Sequence, residues 1–217
     1  MLINIYKPVG WTSFNVVKKI RGITKEKKVG HAGTLDPFAE GVLIIGTGKD
    51  TKELTAISAD QKSYIATLKL GEETNTLDIE GEIVTKSNVP KLSNVIISNV
   101  LNKFLGKQKQ IPPMFSAKKV GGKKLYELAR KNIVIEREPK DIEIKEIELV
   151  NFLEDEITFK STCSKGTYVR VLGSDIAKAL GTVGHLSKLV RTSVGEYFVE
   201  EAIQIEEFEK QWKNISA

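Results

Sequence analysis

The residues best placed to do chemistry in this 217-residue chain lie in one stretch, Gly30-His31-Ala32-Gly33-Thr34-Leu35-Asp36-Pro37-Phe38-Ala39-Glu40-Gly41-Val42-Leu43. It holds Asp36 among small residues, in a loop that runs into an apolar strand. Gly30, Gly33 and Gly41, with Ala32 and Ala39, leave little bulk around that carboxylate, and Pro37 restricts Asp36 towards extended conformations. A large substrate has room to approach closely. The chemistry open to an ionised carboxylate in such a loop is covalent attack or removal of a proton. Taken alone, however, Asp-Pro is a common turn and Gly-x-x-Gly a common loop. His31, five residues before Asp36, reads by itself as a loop hydrogen-bonding residue, and no proton transfer is assigned to it.

Composition narrows the chemistry further. The single cysteine, Cys163, excludes an intrachain disulfide and a cysteine-rich zinc site, and two histidines, His31 and His185, do not make a metal cluster. A mechanism without metal is expected. Gly46-Thr47-Gly48-Lys49 does not complete a phosphate loop, because Leu43 stands at the first glycine position and Asp50 where Ser or Thr belongs. Hydrophobic residues make up 41% and charged residues 28%, as in an ordinary soluble globular protein. No apolar run approaches a membrane span, and Met1-Leu2-Ile3-Asn4-Ile5-Tyr6 lacks the regions of a secretory signal, so a cytoplasmic protein without a membrane partner is expected.

The net charge of +5 is modest but unevenly spread. Lys18, Lys19, Arg21, Lys25, Lys27 and Lys28 precede the Asp36 loop with only Glu26 opposing, and Lys118, Lys119, Lys123, Lys124, Arg130 and Lys131 form a second cluster opposed by Glu127. Each alone reads as a solvated face. Two of them near a candidate site favour a phosphate backbone as partner. The tail, with Glu200, Glu201, Glu206, Glu207 and Glu209, is acidic.

The elements that must position Asp36 follow from periodicity. Leu2 to Tyr6 reads as a strand, and Thr12 or Ser13 as the cap of a helix to about Gly22 with Phe14, Val17 and Ile20 on one face. Val42 to Ile45 is a short buried strand. Tyr64, Ala66, Leu68 and Leu70 alternate with Ser63, Ile65, Thr67 and Lys69 as in a strand, whereas Leu92, Val95, Ile96 and Val100 repeat at helical spacing. Further strands are expected around Ile142, Ile144 and Ile147 and from Ile157 to Cys163, then a helix marked by Leu172, Ile176 and Leu180. This irregular order argues for α+β rather than a doubly wound sheet. The segment from about Gly106 to Glu138, rich in lysine, glycine and proline, reads as an inserted flap with a turn at Gly121-Gly122 and a short helix from Lys123 to Lys131.

Four further blocks accompany the Asp36 loop: Lys7-Pro8-Val9-Gly10-Trp11-Thr12-Ser13, Lys62-Ser63-Tyr64, Gln110-Ile111-Pro112-Pro113-Met114-Phe115-Ser116-Ala117 and Ser164-Lys165-Gly166-Thr167-Tyr168-Val169-Arg170. In this order, from about Leu2 to about Tyr197, the chain resembles the bacterial tRNA pseudouridine synthase B (TruB) family, which isomerises the T-loop uridine at position 55 of tRNA. The resemblance implies a single catalytic domain over 1–217 with a large mixed, mostly antiparallel sheet flanked by helices. It also implies that the segment at about 106–138 is an RNA-contacting thumb.

By the same resemblance Asp36, Tyr64 and Arg170 are the catalytic residues. Making pseudouridine breaks the N1 to C1′ bond, turns the uracil and joins its C5 to the same sugar carbon, so no cofactor is needed. Asp36 attacks sugar or base, or takes a sugar proton to give a glycal; these routes stay open. The aspartate must be ionised, and a cation within ~4 to 6 Å would lower its pKa by ~1 to 3 units. Arg170 matches the family's arginine for this task. Tyr64 matches the tyrosine that stacks on the base and removes the C5 proton, although alone it reads as a core aromatic. His31, Tyr168 and Leu189 match substrate-contacting positions, the last lying beneath the base in Lys188-Leu189-Val190-Arg191. Lys7, Pro8, Lys62 and Asp78 are expected to support the site, Asp78 within a run that also matches at Leu70, Gly71, Thr74, Thr76 and Gly81.

Many members of the family carry a PUA domain after the catalytic one. Here about twenty residues follow Tyr197, too few for it; if this is the whole natural protein, weaker RNA affinity than in a longer relative is expected, and a monomer is expected as a separate matter. Asn132 stands where a glycine is usual after the thumb helix, and asparagine tolerates the left-handed conformation. Two other functions compete: an RNA chaperone that opens and refolds tRNA elbows, and a guide-directed synthase working inside a ribonucleoprotein.

Overall fold

The computed structural model describes residues 1–216, with side chains through 214. In chain order the strands are β1 (Leu2–Lys7), β2 (Val29–His31), β3 (Glu40–Thr47), β4 (Lys62–Leu70), β5 (Glu72–Thr74), β6 (Ile83–Lys86), β7 (Gly106–Gln110), β8 (Lys119–Val120), β9 (Lys123–Lys124), β10 (Lys140–Phe152), β11 (Glu156–Cys163), β12 (Gly184–Val194) and β13 (Tyr197–Phe198). The helices are α1 (Ser13–Thr24), α2 (Leu54–Ala59), α3 (Asn94–Asn102), α4 (Leu125–Ala129), α5 (Val169–Ala179) and α6 (Ile205–Ser216). The architecture is the expected mixed α+β, with a large, mostly antiparallel sheet. Two compact units divide the chain, one of residues 1–65 and 189–217 and the other of residues 66–188.

In the first unit β3 is central. It pairs antiparallel with β1, from Leu2 opposite Gly46 to Lys7 opposite Gly41, and with β2, and it pairs parallel with β12 at Val190 and Arg191. A strand covered on both faces needs a continuous apolar run, and Val42-Leu43-Ile44-Ile45 supplies it. Leu43 and Ile45 join Ile3, Ile5, Val16, Val17, Ile20 and Phe208 in a core closed by α1 and α6, while Val42 and Ile44 pack with Leu54 and Ile57 of α2. Helix α1 starts where the sequence places it: Thr12 is its cap, its hydroxyl accepting from the Asn15 N–H and the Asn15 side chain accepting from the Thr12 N–H. Phe14 differs from expectation. It projects from the first turn and is 64% exposed, and Val16 takes its place in the core.

In the second unit the strand order is β4-β11-β10-β7, with β10 antiparallel to both β11 and β7. The alternation read on β4 holds, with Ala66, Leu68 and Leu70 buried. Helix α3 exists, but its face is turned: Ile97, Val100 and Leu101 are buried, whereas Val95 and Ile96 are exposed. The run Val95-Ile96-Ile97 is apolar over too wide an arc for periodicity to choose among its members. Cys163 is buried at the end of β11. Within 106–138, β7 belongs to the sheet, β8 and β9 make a hairpin across Gly121-Gly122, and α4 is shorter than the span from Lys123 to Lys131, because Lys123 and Lys124 are strand. Asn132 does adopt a positive φ of 56°.

Candidate active site

Asp36 sits on the loop from β2 to β3 and is partly exposed, and the backbone around it is fastened at almost every peptide. Ser13, at the start of α1, uses its hydroxyl twice on Leu35, accepting from the N–H at 2.9 Å and donating to the carbonyl at 3.0 Å. Lys7 is fully buried, and its ammonium donates to the carbonyls of Pro8 (2.9 Å), Trp11 (2.6 Å) and Pro37 (3.3 Å). Arg191, 1% exposed, donates to the carbonyls of Val42 (2.7 Å), Gly33 (3.2 Å) and Thr34 (3.4 Å). Two buried cations and a hydroxyl thus hold the residues on either side of Asp36. Buried charge is tolerated when hydrogen-bonded, and carbonyl oxygens do that here. The carboxylate is presented on a stiff frame.

The turn into β3 depends on Gly41. Its φ is +104°, and a Cβ there would run into the carbonyl oxygen of Arg191 on the paired strand. His31 lies at the end of β2, where burial first, then the Arg191 guanidinium, holds its imidazole below the usual histidine range. Both effects favour the neutral imidazole. In the same unit Lys62 is buried and donates to the carbonyls of Ser58 (2.9 Å) and Asp60 (2.6 Å), Tyr64 is buried on β4, and Leu189 is buried on β12. Pro8 is half-buried beside Lys7.

The second unit holds Asp78, Tyr168 and Arg170. Arg170 lies in the first turn of α5, 3% exposed, and donates to the carbonyls of Thr76 (2.6 Å) and Phe115 (2.8 Å); its guanidinium also meets the Asp78 carboxylate at 3.3 Å. Asp78 is fixed in turn by the Thr76 hydroxyl (2.6 Å) and the Glu80 N–H (3.0 Å). Tyr168 precedes α5, and the buried Gln110 side chain grips its backbone from both sides, accepting from its N–H at 2.8 Å and donating to its carbonyl at 3.1 Å. Asp78 thus ion-pairs with the arginine named from sequence.

The sequence offers Ser13 only as a helix cap and assigns no role to Gln110 or Arg191, whereas in the structure each of the three grips backbone beside a site residue. A charged Arg191 in the apolar strand Leu189-Val190-Arg191 was the available signal. Gln110 and Ser13 carried none, since their partners are backbone atoms 58 and 22 residues away.

The sheet with its helices has the pseudouridine synthase fold. Its likeness to a solved H/ACA RNP bound to a substrate RNA containing 2′-deoxyuridine has a TM-score of 0.73 at 27% identity, covering 100% of this chain and 55% of that one. Residues 21–169 match the model of the TruB family pseudouridylate synthase, N-terminal domain, and the chain belongs to this family. A "tRNA pseudouridine synthase B" of Lactococcus lactis subsp. lactis (strain IL1403) is 45% identical over 216 residues, 96% of this chain and 66% of that protein. One from Ureaplasma urealyticum serovar 10 is 43% identical over 217 residues, 99% of this chain and 95% of that protein. The chain spans 56% to 66% of the length of the first curated relatives it matches. Among the described residues no helix is long and apolar enough to cross a membrane.

Proposed function

We propose that this protein is a tRNA pseudouridine synthase that isomerises uridine 55 of the T-loop. What carries the reading is the Asp36 loop: a carboxylate whose neighbouring peptides are held by Lys7, Ser13 and Arg191, in a chain 43% to 47% identical to proteins of that name. Positioning of this kind is how an enzyme converts a weak nucleophile into an effective one.

In this reading the target nucleotide leaves its stack, at a cost of a few kcal/mol, and enters beside Asp36. Asp36 starts cleavage of the N1 to C1′ bond, the uracil turns, and C5 bonds to C1′. Tyr64 removes the C5 proton and N1 gains one, so atoms and electrons balance without a cofactor. Arg170 completes the catalytic set with Asp36 and Tyr64; Tyr168, Leu189 and His31 contact the flipped nucleotide, and Lys7, Pro8, Lys62 and Asp78 support them. Residues of about 106–138 act as a thumb on the T-arm, and a cytoplasmic monomer carries out the reaction.

The test is to map pseudouridine in an unmodified tRNA transcript after incubation with the purified protein alone. Modification at position 55 is expected for the wild type, and none for Asp36→Asn with tRNA binding kept. Isomerisation by Asp36→Asn equal to the wild type would overturn the assignment of Asp36. A requirement for a guide RNA would instead favour the ribonucleoprotein mode, and binding with no modification by the wild type would favour a chaperone.

A further inference from the structure

The unit that carries Asp36 has a concavity away from that residue. It lies between α1 and α6, encloses about 1090 Å³, and is lined by Trp11, Trp212, Lys18, Lys19, Lys25 and Lys213 among others. These two tryptophans are the only ones in the chain. Both pack on the core and are partly exposed, Trp212 stacking on Phe208 at 6.0 Å between ring centroids.

The charge in the groove is one-sided. Its acid, Glu209, is bonded to Lys19 and, at 3.1 Å, to Lys213, and these two contacts hold its carboxyl below the usual range. Lys18 and Lys25 are exposed and, among the described residues, have no acidic partner at ion-pairing distance. Arg21, Lys27 and Lys28, all exposed, add to the basic stretch. Ammonium groups beside partly exposed indoles are what single-stranded nucleic acid needs, because phosphates take the cations and any base can lie on an aromatic face. The groove is also tied to the Asp36 loop: the carbonyls of Trp11 and Pro37 share the Lys7 ammonium.

We infer that this groove binds a single-stranded stretch of the substrate RNA, outside the nucleotide presented to Asp36, with a base on an indole and phosphates against Lys18 and Lys25. The inference rests on the proposed action on RNA. It assigns α1 and α6 a part in holding RNA that the chemistry at Asp36 does not require.

Since both tryptophans line the groove, intrinsic fluorescence reports its occupancy. Titrating the protein with an unmodified tRNA transcript is expected to quench that signal. Lys18→Glu/Lys25→Glu is expected to weaken tRNA binding about tenfold or more and to lower the salt slope by roughly 1.4, two phosphates at ~0.7 each. Trp212→Phe, which keeps an aromatic ring beside Phe208, removes its share of the quench. Pseudouridine formation with tryptophan fluorescence untouched by saturating tRNA would overturn the groove while leaving the activity standing. Quenching by polyglutamate equal to that by tRNA would overturn it in favour of an acidic protein partner. Quenching by tRNA at an unmodified uridine 55 would support the groove and sink the activity instead.

Discussion

Arg191 has no direct place in the proposed chemistry, yet its guanidinium holds Gly33, Thr34 and Val42 around the aspartate. Arg191→Met is expected to lower kcat by about 100-fold, the scale of a ~1 Å misplacement, with tRNA Kd within about twofold. Arg191→Lys should recover part of the loss, and an unchanged kcat in the methionine variant would refute the positioning role. His31 gives a pH prediction. Its folded pKa is depressed, so below about pH 6.5 the unfolded chain binds the proton better and stability is lost as pH falls towards the folded value. The drop in Tm between pH 7.5 and pH 5.5 should therefore be smaller in His31→Gln than in the wild type. An equal drop in both would remove His31 from the account.

At the scale of elements, the join between β3 and β12 is the least forgiving. Gly41→Ala puts a methyl against backbone at a φ of +104°, and should destabilise by about 2–3 kcal/mol, lowering Tm by roughly 5–10 °C. Gly22→Ala, in the exposed body of α1 with open space at its Cβ, should stabilise by up to about 1 kcal/mol. Thermal melts of the two variants check both signs. Local signals made β1, β3, β4, the cap of α1 and α5 readable, since a strand's alternation or a helix's cap lies within a few residues. The Asp36 loop was readable for the same reason. Helix α6 was not, because its glutamates read as an acidic tail although Ile205, Phe208 and Trp212 keep helical spacing. Strand β12 and the grips of Arg191 and Gln110 were also hidden, their partners being distant in sequence and mostly backbone atoms.

For the whole molecule, a net charge of +5 concentrated in two lysine-rich stretches predicts electrostatic binding. The tRNA dissociation constant should rise steeply between about 50 and 200 mM salt, and log Kd against log salt gives the number of phosphates engaged. A salt-independent constant would contradict a basic face. Each unit also has an interior of its own, and that of the second contains Cys163 at 1% exposure. It is the chain's one thiol. A thiol-specific dye should leave the native protein unlabelled and react only as β11 parts from its neighbours. The rate at which the dye takes hold then times the opening of that interior, without any label having to be engineered in.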